Sequence, residues 1–466
     1  MAAKGSEPWG KNPYYFYPDP YAAYMVHESL YNYRPGGFHP VNLGDTLQDG
    51  RYVIRHKLGY GGFSTVWLAR DTQEGQWVSI KIKTAEASTE TPEQDPEAKI
   101  SLDLERHYSS SAQAEEKPRC FARLLDCFRV TGPNGTHNCL VTELLGPTVD
   151  EVLETFKENS LTLRPDTILR ASRQLLDAVD FIHQAGLAHG DLSYTNVAFT
   201  CKSAAASEED LIDAMGGEPA TVAAEAGADA PLPPNLPRHM VQATGWPSWF
   251  EEVDEDICVL DWGLVFPRGE RLAELAQPKT LRVPETFFWE GGFDWRVDLW
   301  RAGCVIYGLF YQKELCRYGG RENLLIHELV MRLGPLPANW QAKWDEMLKN
   351  DPDAGEDASV VPPDQVTETF EPRRRAIMSA CANDEQNEYE EDEHTPRDYE
   401  GLECLKRVIL GLLQYEPEKR VGANVASSWI TEAWTDHRRL EREAEGDEEG
   451  EDDEDEDDAV NSEVDE

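Results

Sequence analysis

Residues 58–71 read LGYGGFSTVWLARD, and residues 78–83, a few positions on, read VSIKIK. In VSIKIK the apolar Val78, Ile80 and Ile82 alternate with Ser79, Lys81 and Lys83, the period-two pattern of a strand with one buried face. Gly59 and Gly61 let the backbone turn tightly and approach a phosphate without interference from a Cβ. Ordinary hairpins use the same glycines, so the turn alone decides little. The order is more specific: strand, glycine turn, Val66, then a lysine on the next strand, at the spacing of a loop that cradles nucleotide phosphates.

Four further segments follow in register. HGDLSYTN (189–196) sets Asp191 and Asn196 five positions apart, so that a carboxylate can meet an acceptor hydroxyl while an amide oxygen ligates magnesium. Asp261-Trp262-Gly263 ends the apolar run ICVLD (257–261), where a carboxylate can reach phosphate oxygens through Mg²⁺. VPE (283–285) and DLWRAG (298–303) complete the series. Each piece is ordinary by itself, but their order is the one a protein kinase requires. The expected fold is α+β: a bilobal protein-kinase fold with a small, mainly β N-lobe (36–145) and a larger, mainly α C-lobe (146–436).

Composition is compatible with this reading. The chain has 466 residues, 40% hydrophobic and 10% aromatic, enough for a sizeable core. No stretch approaches the roughly 20 apolar residues of a membrane span, and the N-terminus lacks the apolar centre of a secretory signal. Nine scattered cysteines without a Cys-x-x-Cys pair argue against a disulfide framework or a zinc site. These features predict a soluble protein of the cytoplasm and nucleus. The net charge is −44; Glu441–Glu466 hold 17 acidic residues against one arginine, so −16 lies there and −28 in the rest. The tail is explained by solvation alone, whereas −28 on the body favours a cationic partner and disfavours nucleic acid. The expected protein is a monomer, with no direct nucleic-acid or membrane partner.

Residues 1–35, rich in Tyr and Pro, read as an extended arm. Pro165–Gln184 is the clearest amphipathic helix, with Ile168, Leu175, Val179 and Ile182 on one face. Ala, Glu, Gly and Pro dominate 203–250, which predicts a partly disordered insertion with one short helix. An acidic loop is expected at 351–397 and a disordered acidic tail at 437–466.

The chain resembles the SR-protein-specific kinases, in a fungal-type form with a short insertion. The residues that carry the likeness are YRPGGFHPVNLGDTLQDGRYVIRHKLGYGGFSTVWLARD (33–71), TELLGPTVDEVL (142–153), PLPPNLPRHM (231–240) and LGPLPANW (333–340). The resemblance implies a serine/threonine kinase using ATP and Mg²⁺ on basic, Arg/Ser-rich splicing-factor proteins. It further implies that Leu58, Gly59, Tyr60, Gly61, Gly62, Phe63, Ser64, Thr65 and Val66 surround the nucleotide, and that Thr142 is the gatekeeper. Glu143 and Leu145 would offer backbone hydrogen bonds to the base. Lys81 would hold the α- and β-phosphates, paired with Glu97 or, failing that, Glu105. Asp191 would orient the acceptor hydroxyl, and Asn196 and Asp261 would hold Mg²⁺. Glu285 is expected to pair with Arg420 as a brace, Asp298 to support the catalytic loop, and His189 to be packed rather than titrating.

Two positions depart from the common pattern. Most kinases have an arginine where Gly190 stands, and it receives a phosphorylated activation loop; its loss suggests constitutive activity. Ser193 stands where many kinases place a lysine near the γ-phosphate. Acids around Asp345, Glu346, Asp351 and Asp353 are candidates for docking a basic peptide. A catalytically weak or dead scaffold that binds basic proteins is the competing reading. A small-molecule kinase is disfavoured by the Pro-Glu and Asp-x-Trp-x-x-Gly segments.

Overall fold

The computed structural model of the protein describes residues 27–110, 118–202, 205, 207–224, 231–250, 255–277, 280–288, 291–316, 321–350 and 401–434. These fall into two compact units. One takes in the described residues up to Thr162 together with those of Phe181–Arg271; the other takes in Leu163–Asp180 and the described residues from Leu272 on. Residues 146–162 and most of the insertion thus group with the β-sheet, where the sequence reading draws the boundary after 145. The acidic loop, with Asp351 and Asp353, and the acidic tail lie outside the described residues.

The first unit is built on a six-stranded antiparallel sheet. Its strands are β1 (Thr46–Leu47), β2 (Tyr52–Tyr60), β3 (Ser64–Asp71), β4 (Gln76–Lys83), β5 (Leu124–Gly132) and β6 (Gly135–Glu143), in the spatial order β1-β2-β3-β4-β6-β5, with helix α1 (Pro96–Ser110) between β4 and β5. The glycine-rich stretch is the β2–β3 turn: Tyr60 pairs with Thr65, and the Gly61 N–H donates to Ser64 O at 2.9 Å. At the β3–β4 turn the Asp71 carboxylate accepts from the N–H groups of Gln73 (3.0 Å) and Glu74 (3.3 Å), an Asx turn that fixes the hairpin. The alternation read in VSIKIK holds, because Val78, Ile80 and Ile82 are all buried in one cluster with Ile54, Trp67 and Val141.

After the sheet come α2 (Val149–Glu158), α3 (Pro165–Gln184), which supplies residues to both units, β7 (Leu187–Ala188) and β8 (Val197–Phe199). Thr148 and Glu151 form a reciprocal capping box that starts α2. Ile168, Leu175, Val179 and Ile182 of α3 are all buried, as their spacing predicts.

The insertion holds more structure than its composition predicts. Beside the expected short helix, α4 (Glu208–Ala214), it forms two paired strands, β9 (Thr221–Ala223) and β10 (His239–Val241). Val222, Ala224, Leu236 and Met240 share a core with Leu30 and Tyr33 of the N-terminal arm and with Phe38 just after it, and Val241 joins the core of the main sheet. Asparagine side chains tie the two segments: Asn235 Nδ2 donates to Tyr33 O at 2.7 Å, and Asn134 Nδ2 donates to Phe38 O at 2.7 Å and Asn235 O at 2.9 Å. The arm also carries Glu28, buried and paired with buried Lys57 of β2, whose ammonium lies over the Trp67 ring. Beyond the insertion, β11 (Ile257–Val259) pairs with β8 and β12 (Phe266–Pro267) with β7.

The second unit is helical, with α5 (Glu285–Phe288), α6 (Val297–Tyr311), α7 (Glu322–Leu333), α8 (Ala338–Lys349) and α9 (Glu403–Leu412). Every residue of α6 is buried, the signature of a helix apolar all round. Gly303 lets α9 come close, since a Cβ there would lie 2.9 Å from Leu412 Cβ. Glu285 and Arg420 form a buried ion pair, with Nη1 to Oε1 at 2.8 Å and Nη2 to Oε2 at 2.5 Å. No described helix is long and apolar enough to cross a membrane, and no disulfide joins the eight described cysteines.

Candidate active site

Lys81 lies on β4, with its side chain on the face opposite Ile80 and Ile82. Its Nζ stands 2.6 Å from Glu97 Oε2 and 3.1 Å from Asp261 Oδ1. One ammonium therefore joins β4, α1 and the Asp-Trp-Gly segment. Burial by itself would lower the Lys81 pKa, but the charges of Glu97 and Asp261 outweigh it and hold it above the ordinary lysine value. For Asp261, burial works upward, and the nearby Lys81 charge and hydrogen bond prevail to leave its carboxyl below the usual range. Both groups are thus held in their charged forms.

Glu97 is set by the start of α1. The helix begins at Pro96, a residue suited to the first turn, and the Asp95 carboxylate accepts from the Glu97 N–H at 3.0 Å. The Glu97 carboxylate is shared between two lysines, since Lys83 Nζ lies 3.0 Å from Oε1. Lys83 in turn bonds both oxygens of Asp95, Oδ2 at 3.0 Å and Oδ1 at 3.1 Å, and Asn138 Nδ2 donates to Asp95 Oδ2 at 3.0 Å. Lys83 and Asp95 were missed in the sequence reading. The signal was present, because Lys83 is on the same strand face as Lys81 and Asp95 precedes the helix proline. Glu105, the alternative partner, bonds Arg119 instead at 2.9 Å. The buried face of α1 is Glu97, Ala98, Ser101 and Leu104, while Leu102 is exposed.

The β8–β11 pair brings the two candidate metal-holding residues together. Asn196 immediately precedes β8, and Leu260 and Asp261 immediately follow β11. The Leu260 N–H donates to Asn196 O at 2.9 Å, and His189 Nε2 donates to Leu260 O at 2.9 Å. His189 Nδ1 accepts from the Asp191 N–H at 3.2 Å, so both ring nitrogens are engaged; the ring is buried and faces Trp262 at 5.4 Å. Asn196 Nδ2 donates to Asp191 O (2.7 Å) and Oδ2 (3.3 Å). With its nitrogen so occupied, Asn196 would offer its amide oxygen, and Asp261 its carboxylate, to a metal ion in the cavity that both line. An oxygen set of this size suits Mg²⁺, which is commonly held by one or two protein oxygens together with substrate phosphates. Asp261 has φ of +63°, in the left-handed region, an unusual conformation for a non-glycine residue that is often kept at functional sites.

A cavity of about 600 Å³ opens over these groups, lined by Leu58, Val66, Leu140, Thr142 and Leu260 and reaching Lys81, Asn196 and Asp261. Gly59, Tyr60, Gly61, Ser64, Glu97, Glu143 and Leu145 also line it, but Gly62, Phe63 and Thr65 do not. Phe63 is 75% exposed at the tip of the turn, and the Thr65 hydroxyl accepts from Trp67 Nε1 at 3.0 Å. Asp191 is not among the lining residues; it sits beside Asn196. The Glu143 N–H donates to Arg123 O (3.1 Å) and its carboxylate accepts from Arg123 N–H (2.8 Å), so its side chain serves the strand.

Gly190 has φ of +73°, and a Cβ there would stand 2.5 Å from Leu264 O. The backbone at this point leaves no room for a side chain. Ser193 is buried, its hydroxyl 3.0 Å from that of Thr195.

Residues 52–206 match the protein kinase domain family. Over 173 residues the chain is 35% identical to serine/threonine-protein kinase SKY1 of Saccharomyces cerevisiae, a stretch that is 36% of this chain and 22% of that one. It is 34% identical over 168 residues to human SRSF protein kinase 3, covering 36% and 28%. In these two cases the match spans less than a third of the relative's length. A serine/threonine protein kinase of Aspergillus fumigatus is 25% identical over 412 residues, covering 86% of this chain and 88% of the relative. The residues that match the family, 52–206, include the glycine turn, Lys81, Glu97, Asp191 and Asn196; Asp261 lies beyond that stretch and joins the group through the β8–β11 pairing. On that match and this geometry, the chain carries a protein kinase domain.

Proposed function

We propose that this protein is a serine/threonine kinase that transfers the γ-phosphoryl group of ATP to serine in Arg/Ser-rich proteins, and that it is active without phosphorylation of its activation loop. The observation that carries the reading is the Lys81 ammonium held between Glu97 and Asp261 at 2.6 and 3.1 Å. Such a lysine neutralises the α- and β-phosphates of a bound nucleotide, while Asn196 and Asp261 would hold Mg²⁺, which would supply charge neutralisation there. Asp191, fixed by His189 and Asn196, orients the acceptor hydroxyl. The serine Oγ–phosphorus bond forms as the bond from phosphorus to the β-phosphate oxygen breaks, and the hydroxyl proton leaves toward Asp191. Positioning and charge neutralisation carry most of the rate.

Two observations support constitutive activity. The Lys81–Glu97 pair is already formed in the unmodified chain, and position 190 has no room for the arginine that would receive a loop phosphate. The −28 charge on the body favours a guanidinium-rich substrate, since arginine pairs two-pronged with carboxylates. A relative named for SRSF proteins points the same way.

The test is transfer of labelled γ-phosphate to Arg-Ser and Lys-Ser repeat peptides of equal charge. Wild type is expected to label the Arg-Ser peptide faster, and Asp191→Ala to reduce labelling about 10²- to 10⁴-fold. Phosphatase treatment of the enzyme is expected to leave the rate unchanged. Equal rates on the two peptides would remove the substrate assignment, a phosphatase-sensitive rate would remove constitutive activity, and labelling that survives Asp191→Ala would remove the mechanism. No labelling of any basic substrate would favour a binding scaffold.

A further inference from the structure

We propose that Trp246, contributed by the insertion, forms a wall of the nucleotide site at its nucleoside end and so sets which nucleotides the kinase accepts. The proposal rests on the nucleotide-site reading above and deepens it. Trp246 lines the same 600 Å³ cavity as Leu58, Lys81 and Asp261, yet it lies forty residues beyond the stretch that matches the kinase domain family. Nothing in the kinase motifs calls for it.

The chain delivers it through a short addition to the sheet. Ala243 bridges Lys57 in parallel, and the Thr244 N–H donates to Lys57 O at 3.0 Å. Lys57 immediately precedes Leu58, the first residue of the glycine-rich stretch, so the insertion enters the cavity at the end where that stretch begins. Lys81 and Asp261 mark the phosphate end, while Leu58 and the Glu143–Leu145 segment mark the end for the base and sugar.

The backbone that carries the indole is held in place at a cost. Trp246 has φ of +51°, a left-handed conformation that is an outlier for a bulky residue. Such strain persists only where the surroundings overdetermine it, and it clusters at ligand clamps. Here the Trp246 N–H donates to Thr244 Oγ1 at 3.2 Å, Thr244 Oγ1 donates to Met215 O at 3.1 Å, and Trp246 O accepts from the Trp249 N–H at 3.2 Å. Only 3% of the residue is exposed. A bulky side chain so enclosed at the cavity wall can bound the space open to a base or ribose and limit the bulk allowed there.

The experiment compares full-length wild type, Trp246→Ala and Trp246→Phe for binding of ADP and of ADP carrying a bulky aromatic ester on its ribose hydroxyls. Loss of an aromatic wall is expected to weaken ADP about tenfold. The ribose-substituted nucleotide should be weakened less or bind more tightly, so the ratio between the two shifts, while Trp246→Phe stays near wild type. Where Trp246→Ala does not fold, Trp246→Leu is read in the same way. Equal weakening of both nucleotides would reduce Trp246 to a fold support and overturn the proposal, as would unchanged ADP binding. Wild type that binds neither nucleotide would instead overturn the nucleotide-site reading itself.

Discussion

Lys81→Met is expected to slow phosphoryl transfer by about a hundred- to a thousandfold, the usual loss when one fixed electrostatic donor is removed from a reacting centre. The substitution removes the one cation that Glu97 and Asp261 share and leaves the nucleotide phosphates without their protein counter-charge. It should do so without unfolding the site. Glu97 retains Lys83 at 3.0 Å, and Lys83 retains Asp95, so the start of α1 stays anchored to β4. Initial rates with a basic peptide, together with a thermal melt, check both halves. A large loss of rate with a melting temperature close to wild type is the expected pair of results. A rate within a few-fold of wild type would mean that the lysine's position between the carboxylates serves structure alone.

The second large effect concerns the helical unit, where Glu285→Ala is expected to destabilise folding by about 3–5 kcal/mol. The Arg420 side chain is fully buried and that of Glu285 only 3% exposed. Without Glu285 the guanidinium keeps three backbone carbonyls, Arg296 O at 2.9 Å, Gln414 O at 3.0 Å and Tyr415 O at 3.3 Å, and lies over the Trp300 ring. These are dipoles and a quadrupole; none supplies the opposite full charge that offsets desolvation of a buried cation. Urea denaturation followed by fluorescence or circular dichroism measures the loss. Replacing both partners with apolar residues of similar volume should recover much of it, because the penalty comes from the stranded charge. A Glu285→Ala protein as stable as wild type would show that solvent reaches Arg420.

How much of this was legible in the sequence depended on the range of the interaction. The strand at 76–83 could be read because alternation is a local, period-two signal, and Val78, Ile80 and Ile82 are buried as it requires. Lys81, Asp191, Asn196 and Asp261 could be named because their spacing is that of the kinase motifs. The choice between Glu97 and Glu105 was harder, since both are acids of one helix. The structure gives Lys81 to Glu97 because Asp95 and Pro96 start the helix there, and it gives Glu105 to Arg119. The paired strands of the insertion were not legible for a physical reason. Val222, Leu236 and Met240 are too sparse to build a core by themselves, and Leu30, Tyr33 and Phe38 are too few to do so in and just after the arm. Each half becomes ordered by burying the other across some 200 residues of sequence, which no local window detects. The Glu28–Lys57 pair was invisible for the same reason, being two ordinary charges until folding buries them together.

The most direct measurement of the central claim is calorimetric titration of the full-length protein with ADP, with and without Mg²⁺, for wild type and Asp261→Asn. If Lys81 and Asp261 together hold the phosphate end of a metal-bound nucleotide, wild type binds ADP more tightly when Mg²⁺ is present, and Asp261→Asn loses that gain while still binding the metal-free nucleotide. Wild type that binds no ADP, or an Asp261→Asn protein that keeps the full Mg²⁺ dependence, would contradict the account.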